Sequence, residues 1–93
     1  MPRQIVAKAA FQRAYHHLRE ADQQLLDSAL QQFQHYLKTG EAPVGLGLKR
    51  IGGRTYEFRV SLALRVVYVL EGACVVLSLL GSHDEVRRFL KRQ

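Results

Sequence analysis

Cysteine is nearly missing from this chain: Cys74 stands alone among 93 residues. One thiol closes no disulfide and forms no Cys-x-x-Cys zinc signature. The apolar neighbours of Cys74 mark it as a buried, inert thiol rather than a nucleophile, which suits a reducing interior. Tryptophan is absent and proline occurs only twice. No stretch nears the ~20 apolar residues of a membrane-spanning helix; the longest apolar run is Ala73 to Gly81. Arg3 and Lys8 interrupt the N-terminal segment, which argues against a signal peptide and for a cytoplasmic protein. Acidic residues are scarce as well. Eight Asp and Glu face fourteen Lys and Arg, for a net charge of +6. Nucleic acid, an acidic protein or an anionic membrane surface would each be attracted by that balance, which says nothing of the fold. Charge alone leaves a merely soluble basic protein as good a reading as a nucleic-acid binder.

What is present is enough for one domain over residues 1–93, since 47% of the chain is hydrophobic. Gln4 to Ala7 reads either as a short first strand or as the lead-in to a helix. From Ala9, Phe11, Ala14, Tyr15 and Leu18 recur at helical spacing. A polar break at Arg19 to Asp22 follows, with Asp22 as the candidate N-cap. Leu26, Ala29, Leu30, Phe33 and Leu37 then form the apolar stripe of a second helix reaching about Lys38, and Gly40 supplies its left-handed end. Two antiparallel helices joined by a short break make a helical hairpin. Glu41 to Leu48 reads as a loop, marked by Pro43, Gly45 and Gly47. Gly52-Gly53 and Glu71-Gly72 are turn signals. The run from Ala73 to Leu80 has the length and uniform apolarity of a central strand covered on both faces. Ser82 and Glu85 form a capping box. A short last helix follows, with Val86, Phe89 and Leu90 on its apolar side. The expected architecture is α+β: an N-terminal helical hairpin packed on an antiparallel sheet of three to four strands, and a short C-terminal helix.

The segments with most to say about function are two neighbouring strands, Arg54 to Val60 and Leu64 to Leu70. Side chains alternate faces along a strand. With the connection centred on Leu62, Tyr56 meets Tyr68, Phe58 meets Val66 and Val60 meets Leu64, all apolar. On the opposite face Arg59 falls across from Arg65. Like charges directly opposite one another destabilise a sheet, so the pair calls for an anion between them. A two-residue turn at Glu71-Gly72 would place Ser78 across from Arg65. His83 follows at the edge of the same face. Lys49, Arg50 and Arg54 lead into the hairpin, and Arg87 and Arg88 lie one turn into the last helix. Arginine clamps phosphate oxygens bidentately, and histidine is the side chain suited to proton transfer near neutral pH. The combination suits a phosphodiester.

Each of these residues also has a plainer reading. Arg59 and Arg65 could pair with Glu57 and Asp84 as a structural ion network. His83 could be an exposed first residue of a helix. His16, His17 and His35 sit among polar helical neighbours with no metal spacing between them. Tyr56, Phe58 and Tyr68 share the apolar face and read as core before they read as platforms for bases.

At these residues the chain resembles the RelE/ParE superfamily of bacterial toxin–antitoxin toxins. The resemblance rests on Leu48 to Val60 with its "Tyr-x-x-Arg-Val", on Leu64-Arg65-Val66-Val67-Tyr68, and on Gly81-Ser82-His83-Asp84-Glu85-Val86. With the helical hairpin before them, these segments extend it over nearly the whole chain. It implies a type II toxin that acts as a ribosome-dependent mRNA endonuclease, inhibits translation and is restrained by an acidic cognate antitoxin. In the family the ribose 2′-hydroxyl attacks the adjacent phosphate without a metal or other cofactor. Carried over by position, Arg65 and Arg59 become phosphate or transition-state ligands and His83 the proton donor. Lys49, Arg50, Arg54 and Arg87 become RNA-binding cations. Two departures stand out. Glu57 occupies a position where RelE carries lysine, and Arg87 occupies the place of a frequent C-terminal aromatic. They keep two alternatives open: a ParE-like inhibitor of DNA gyrase, and a non-catalytic basic module that binds RNA or protein.

Overall fold

The computed structural model describes residues 3–92. Strand β1 (Gln4–Ala7) leads into helix α1 (Ala9–His17) and the longer helix α2 (Glu20–Thr39). A single 3₁₀ turn at Val44–Leu46 precedes strands β2 (Lys49–Gly52), β3 (Thr55–Arg59), β4 (Arg65–Glu71) and β5 (Cys74–Gly81), and helix α3 (His83–Lys91) follows. The sheet order is β1-β5-β4-β3-β2. Five strands exceed the three to four expected from sequence, for two reasons. Gln4–Ala7 does become a strand, and it pairs with β5 in parallel, so the sheet is mixed rather than wholly antiparallel. Lys49-Arg50, read from sequence as the end of a loop, pairs with β3 as an edge strand.

The helices form where periodicity places them. Uninterrupted by Gly or Pro, α2 buries Leu26, Ala29 and Phe33. It stops at Gly40, whose φ of 80° a residue with a Cβ would resist, and whose N–H donates to Tyr36 O at 2.7 Å. Its N-cap is Arg19 rather than Asp22, and no side chain caps it. Asp22 instead lies in the first turn, 3.6 Å from Arg19, where its charge favours the helix N-terminus. The Ser82 capping box forms in full: Glu85 N–H donates to Ser82 Oγ at 3.2 Å and Ser82 N–H to Glu85 Oε1 at 3.0 Å.

Helices α1 and α2 take one face of the sheet. Phe33 is fully buried there, its ring centroid 4.8 Å from Phe58 and 4.7 Å from Tyr68. Val66, Val75, Leu77 and Leu80 complete this core. Helix α3 lies on the opposite face over β5 and β4, where Val67, Val76 and Val86 are buried. Strand β5 is thus covered on both faces. Cys74 at its start is only half-buried, because it sits at the strand's open end next to the Gly72-Ala73 turn.

The β3–β4 register matches the sequence pattern in full: Tyr56 with Tyr68, Phe58 with Val66, Arg59 with Arg65. Val60 N–H donates to Leu64 O at 2.9 Å and closes the loop around Leu62. The β4–β5 register differs. The turn is Gly72-Ala73, with Gly72 left-handed at φ 58°, and Glu71 pairs with Cys74. Ser78 is then the extra residue of a bulge between Tyr68↔Leu77 and Val67↔Leu79. Arg65 consequently faces Gly81, not Ser78. Ser78 is buried, and its hydroxyl donates to Val76 O at 3.1 Å.

Candidate phosphate-binding site

By strand alternation, Glu57 and Arg59 of β3, Arg65 of β4 and Lys49 of β2 project to the face that α3 only partly covers. The row Arg59–Arg65–Gly81 runs across three strands at one end, and the row Lys49–Glu57–Val67–Leu79 lies beside it. Gly81 is two residues before His83. The antiparallel pairing of β5 with β4 therefore ends β5, and starts α3 with His83, at the end of the sheet where the arginines face each other.

One carboxylate lies within this group. Glu57 is 5% exposed, and its Oε2 accepts from Arg65 Nη1 at 3.2 Å. The partner is Arg65, diagonally across the strand pair, and not Arg59, which shares Glu57's own strand. Asp84 joins no ion pair among the described residues. The plainer reading of an ion network is thus half realised: Arg65 is engaged, while Arg59 has no carboxylate partner among the described residues. Arg65 keeps unused capacity. Its Nε–H is buried and has no hydrogen-bond partner among the described residues. A guanidinium offers five N–H donors, and Glu57 takes one of them.

Arg59 is exposed, and its side chain lies along Gly47 at the end of the 3₁₀ turn. A Cβ added there would sit 3.5 Å from Arg59 Cβ and 3.7 Å from its Nε. Gly47 has φ +60°, so glycine suits both the backbone and the close approach. The loop before β2 thus holds Arg59 from the side, a role for Gly47 that its composition-based reading as a loop marker did not contain. Gly81 supports the other flank, since a Cβ on it would meet Glu85 Cδ at 2.9 Å. Glycine lets the capping glutamate fold back over the strand end.

His83 is the first residue of α3 and is exposed. Arg87 stands at i+4 from it, also exposed, so the two occupy one side of the helix. The remaining predicted cations are placed elsewhere. Arg50 pairs with Tyr56, which puts it on the face opposite Lys49, and its Nε–H donates to Gly53 O at 2.7 Å. Arg54 sits in the β2–β3 turn, five residues from Arg59, roughly 16 Å away along the strand. Lys49, Arg59, Arg65, His83 and Arg87 are therefore the members the fold gathers at or beside one face. Arg50 and Arg54 are not. The group carries more cation than anion, in a setting where guanidinium donors can meet charge on a phosphoryl oxygen.

Among the described residues, no three His, Cys, Asp or Glu side chains come together to hold a metal ion. No helix among them is long and apolar enough to cross a membrane.

No protein-family model matches the chain, and no curated relative does. Solved structures do match. A YoeB/ParE toxin from Agrobacterium tumefaciens is 15% identical, with 86% of this chain and 98% of that one covered and a TM-score of 0.67. The RelB-RelE antitoxin–toxin complex from Methanococcus jannaschii gives 10% identity, 90% and 96% coverage and a TM-score of 0.67. The Escherichia coli DinJ-YafQ toxin–antitoxin complex gives 14%, 92% and 98%, and 0.63. These proteins are toxins of toxin–antitoxin systems, two of them seen with their antitoxins.

Proposed function

We propose a function from the RelE-like toxin fold, which the chain has along nearly its whole length, and from the site on it: the protein is the toxin of a type II toxin–antitoxin pair and cleaves mRNA on the ribosome. The observation that carries the proposal is the Arg59–Arg65 pair, facing across two strands with one carboxylate beside it, Glu57, which engages Arg65 alone. Such an arrangement is matched by a phosphodiester. Attack of the ribose 2′-hydroxyl on the adjacent phosphorus adds negative charge to the phosphoryl oxygens, which Arg59 and Arg65 neutralise. The 2′-hydroxyl proton passes to water, the P–O5′ bond breaks, and His83 protonates the departing 5′ oxygen. A 2′,3′-cyclic phosphate and a 5′-hydroxyl result. Glu57 orients Arg65 in this scheme. The ribosome holds the message in line, so activity on free RNA is low.

An acidic antitoxin is the expected partner, covering Lys49, Arg59, Arg65 and Arg87. Expression of the wild-type chain should arrest translation and leave cuts in ribosome-bound mRNA. Arg59→Ala should abolish both at unchanged protein level. Undiminished cutting by that variant would refute the assignment. A second reading, a gyrase-binding toxin of ParE type, is favoured by two observations: Glu57 is occupied with Arg65, and Arg87 stands where an aromatic is frequent. Inhibition of gyrase supercoiling by the purified chain, without mRNA cuts, would establish it instead. Salt-sensitive binding of RNA with neither activity would identify a non-catalytic module.

A further inference from the structure

A cleft of about 320 Å³ opens on the other face of the sheet, at the end away from the facing arginines. Its walls are Tyr36, Leu37 and Gly40 at the end of α2, Tyr56 of β3, Tyr68 and Leu70 of β4, and Arg3 just before β1. Three of the chain's four tyrosines meet here. Tyr56 and Tyr68 stack with centroids 5.3 Å apart and planes 9° from parallel. Phe33 backs both Tyr36 and Tyr68, so the platform is held from behind by the core.

Two features distinguish this cleft from a gap in the packing. Tyr68 as a residue is 2% exposed, but its hydroxyl reaches the open lining of the cleft and pairs with no protein group among the described residues. Water satisfies an open hydroxyl, and a ligand acceptor in the cleft would take that water's place. Burial, reinforced by Tyr36 and Tyr56, raises the pKa of this hydroxyl, so it remains a donor at any physiological pH. The lining also holds no acid. Arg3 is shared with an adjoining cleft that adds Ile5, Gln34 and Lys38, so both cations of the combined surface face an occupant with no carboxylate to offset them.

We propose that this cleft is a nucleotide-binding subsite, taking one base against the tyrosine platform and its phosphate on Arg3. Stacking on aromatic rings is the sequence-tolerant way to hold an unpaired base, and about 320 Å³ is at the small end of ligand sites, room for one nucleoside rather than a run of them. The Tyr68 hydroxyl donates to a base carbonyl or ring nitrogen at the floor. Arg3, at the edge shared by the two clefts, meets the phosphate. The subsite is independent of the catalytic proposal, because Tyr56 and Tyr68 project away from Arg59 and Arg65.

The absence of tryptophan and the count of four tyrosines make the test direct. Protein labelled with 3-fluorotyrosine gives four ¹⁹F signals. Titration with uridine and adenosine monophosphates should move those of Tyr36, Tyr56 and Tyr68 and leave Tyr15, which bonds Asp27 at 3.1 Å, in place. Ribose 5-phosphate and inorganic phosphate should have little effect. Arg3→Gln should weaken nucleotide binding about tenfold, the size of one charge-assisted contact, while leaving binding of the uncharged nucleoside unchanged. Arg65→Met, if folded, should titrate like wild type. Equal response to nucleotide and inorganic phosphate would overturn the proposal, as would no movement of the three signals at 10 mM nucleotide (about the weakest binding worth the name). Tyr56→Leu, checked for folding by its remaining three signals, should abolish the base-dependent shifts; unchanged binding in that variant would also overturn it.

Discussion

Arg65 is both a phosphate ligand in the proposed reaction and the partner of a carboxylate whose side chain is only 7% exposed. Its removal therefore perturbs folding as well as chemistry, and the size of the first effect follows from the structure. Deleting one member of a buried ion pair strands the other, at a cost of ~3–5 kcal/mol. The Arg65 side chain is 21% exposed, so water reaches this pair and the cost falls to about 2–3 kcal/mol. With a urea m-value of ~1 kcal/mol/M for a small domain, the unfolding midpoint of Arg65→Met should drop by roughly 2–3 M. Against a total stability of ~5–15 kcal/mol, that is enough to lower the amount of folded protein in a cell. Loss of toxicity in an Arg65 variant would then have two causes.

A double-mutant cycle separates them. Glu57→Leu leaves Arg65 able to turn toward solvent and should cost only about 1 kcal/mol. The double variant Glu57→Leu/Arg65→Met replaces the pair by apolar groups of similar volume and should lie within about 1 kcal/mol of wild type. The coupling is then about 3 kcal/mol, read from urea denaturation followed by circular dichroism. If the two single changes simply add, to within about 0.5 kcal/mol, the pair contributes nothing and the reasoning fails. Arg59 offers the contrast. It is exposed and pairs with no carboxylate among the described residues, so Arg59→Ala should shift stability by less than about 0.5 kcal/mol. Any activity it removes belongs to the site.

Two further effects should be measurable. Because Tyr68 has a raised pKa in the folded chain, the native state holds its proton to higher pH than the unfolded state, whose tyrosines titrate near 10.0. The associated stability is therefore complete below pH 10 and lost as pH rises above it; the urea midpoint should fall between pH 10 and 11.5, and Tyr68→Phe should flatten that fall. Gly81→Ala drives a Cβ to within 2.9 Å of Glu85 Cδ and 3.1 Å of its Cβ, so the capping box must open. The expected cost is about 1 kcal/mol, with faster amide exchange in the first turn of α3 and none in α2.

What the sequence makes legible tracks how strongly each pattern constrains its partner. The β3–β4 register could be read because β3 alternates apolar and polar residues and β4 opens on Arg65, so a slip of one would bury Arg59 or Arg65 among the core side chains. The β4–β5 register could not. From Ala73 to Leu80 only Ser78 is polar, and a strand covered on both faces tolerates a slip of two residues with no change of face. The bulge at Ser78 adds a further residue, which moves Arg65 from Ser78 to Gly81. The antiparallel run of β5, with or without the bulge, leads His83 to the arginine end of the sheet. Chain order alone puts His83 beside the arginine end, whereas the cross-strand partner of Arg65, Gly81 and not Ser78, depends on the turn and the bulge.

The partner of Glu57 was beyond sequence for a different reason. On one sheet face a carboxylate has a same-strand neighbour at i+2, here Arg59, and a diagonal neighbour on the next strand, here Arg65. Both are within reach of a long side chain. The choice turns on what lies beside each arginine. Gly47 draws the Arg59 stem toward the loop, while Arg65, one strand further in, has no such alternative and turns to Glu57. A loop glycine eight residues before β3 thus leaves room for Arg59 to lie along the loop, apart from the Arg65–Glu57 pair. The consequence is a division of labour that alternation could not reveal: Arg65 is fixed by an ion pair and Arg59 is held by packing alone. A fixed guanidinium positions a phosphate without reorganising, and an unpaired one supplies charge that nothing in its surroundings offsets. An anion that binds both should displace neither Glu57 nor Gly47, so a Gly47→Ala variant, which strains the loop and crowds Arg59, should weaken phosphate binding through Arg59 while the Arg65–Glu57 coupling stays near its wild-type value of about 3 kcal/mol.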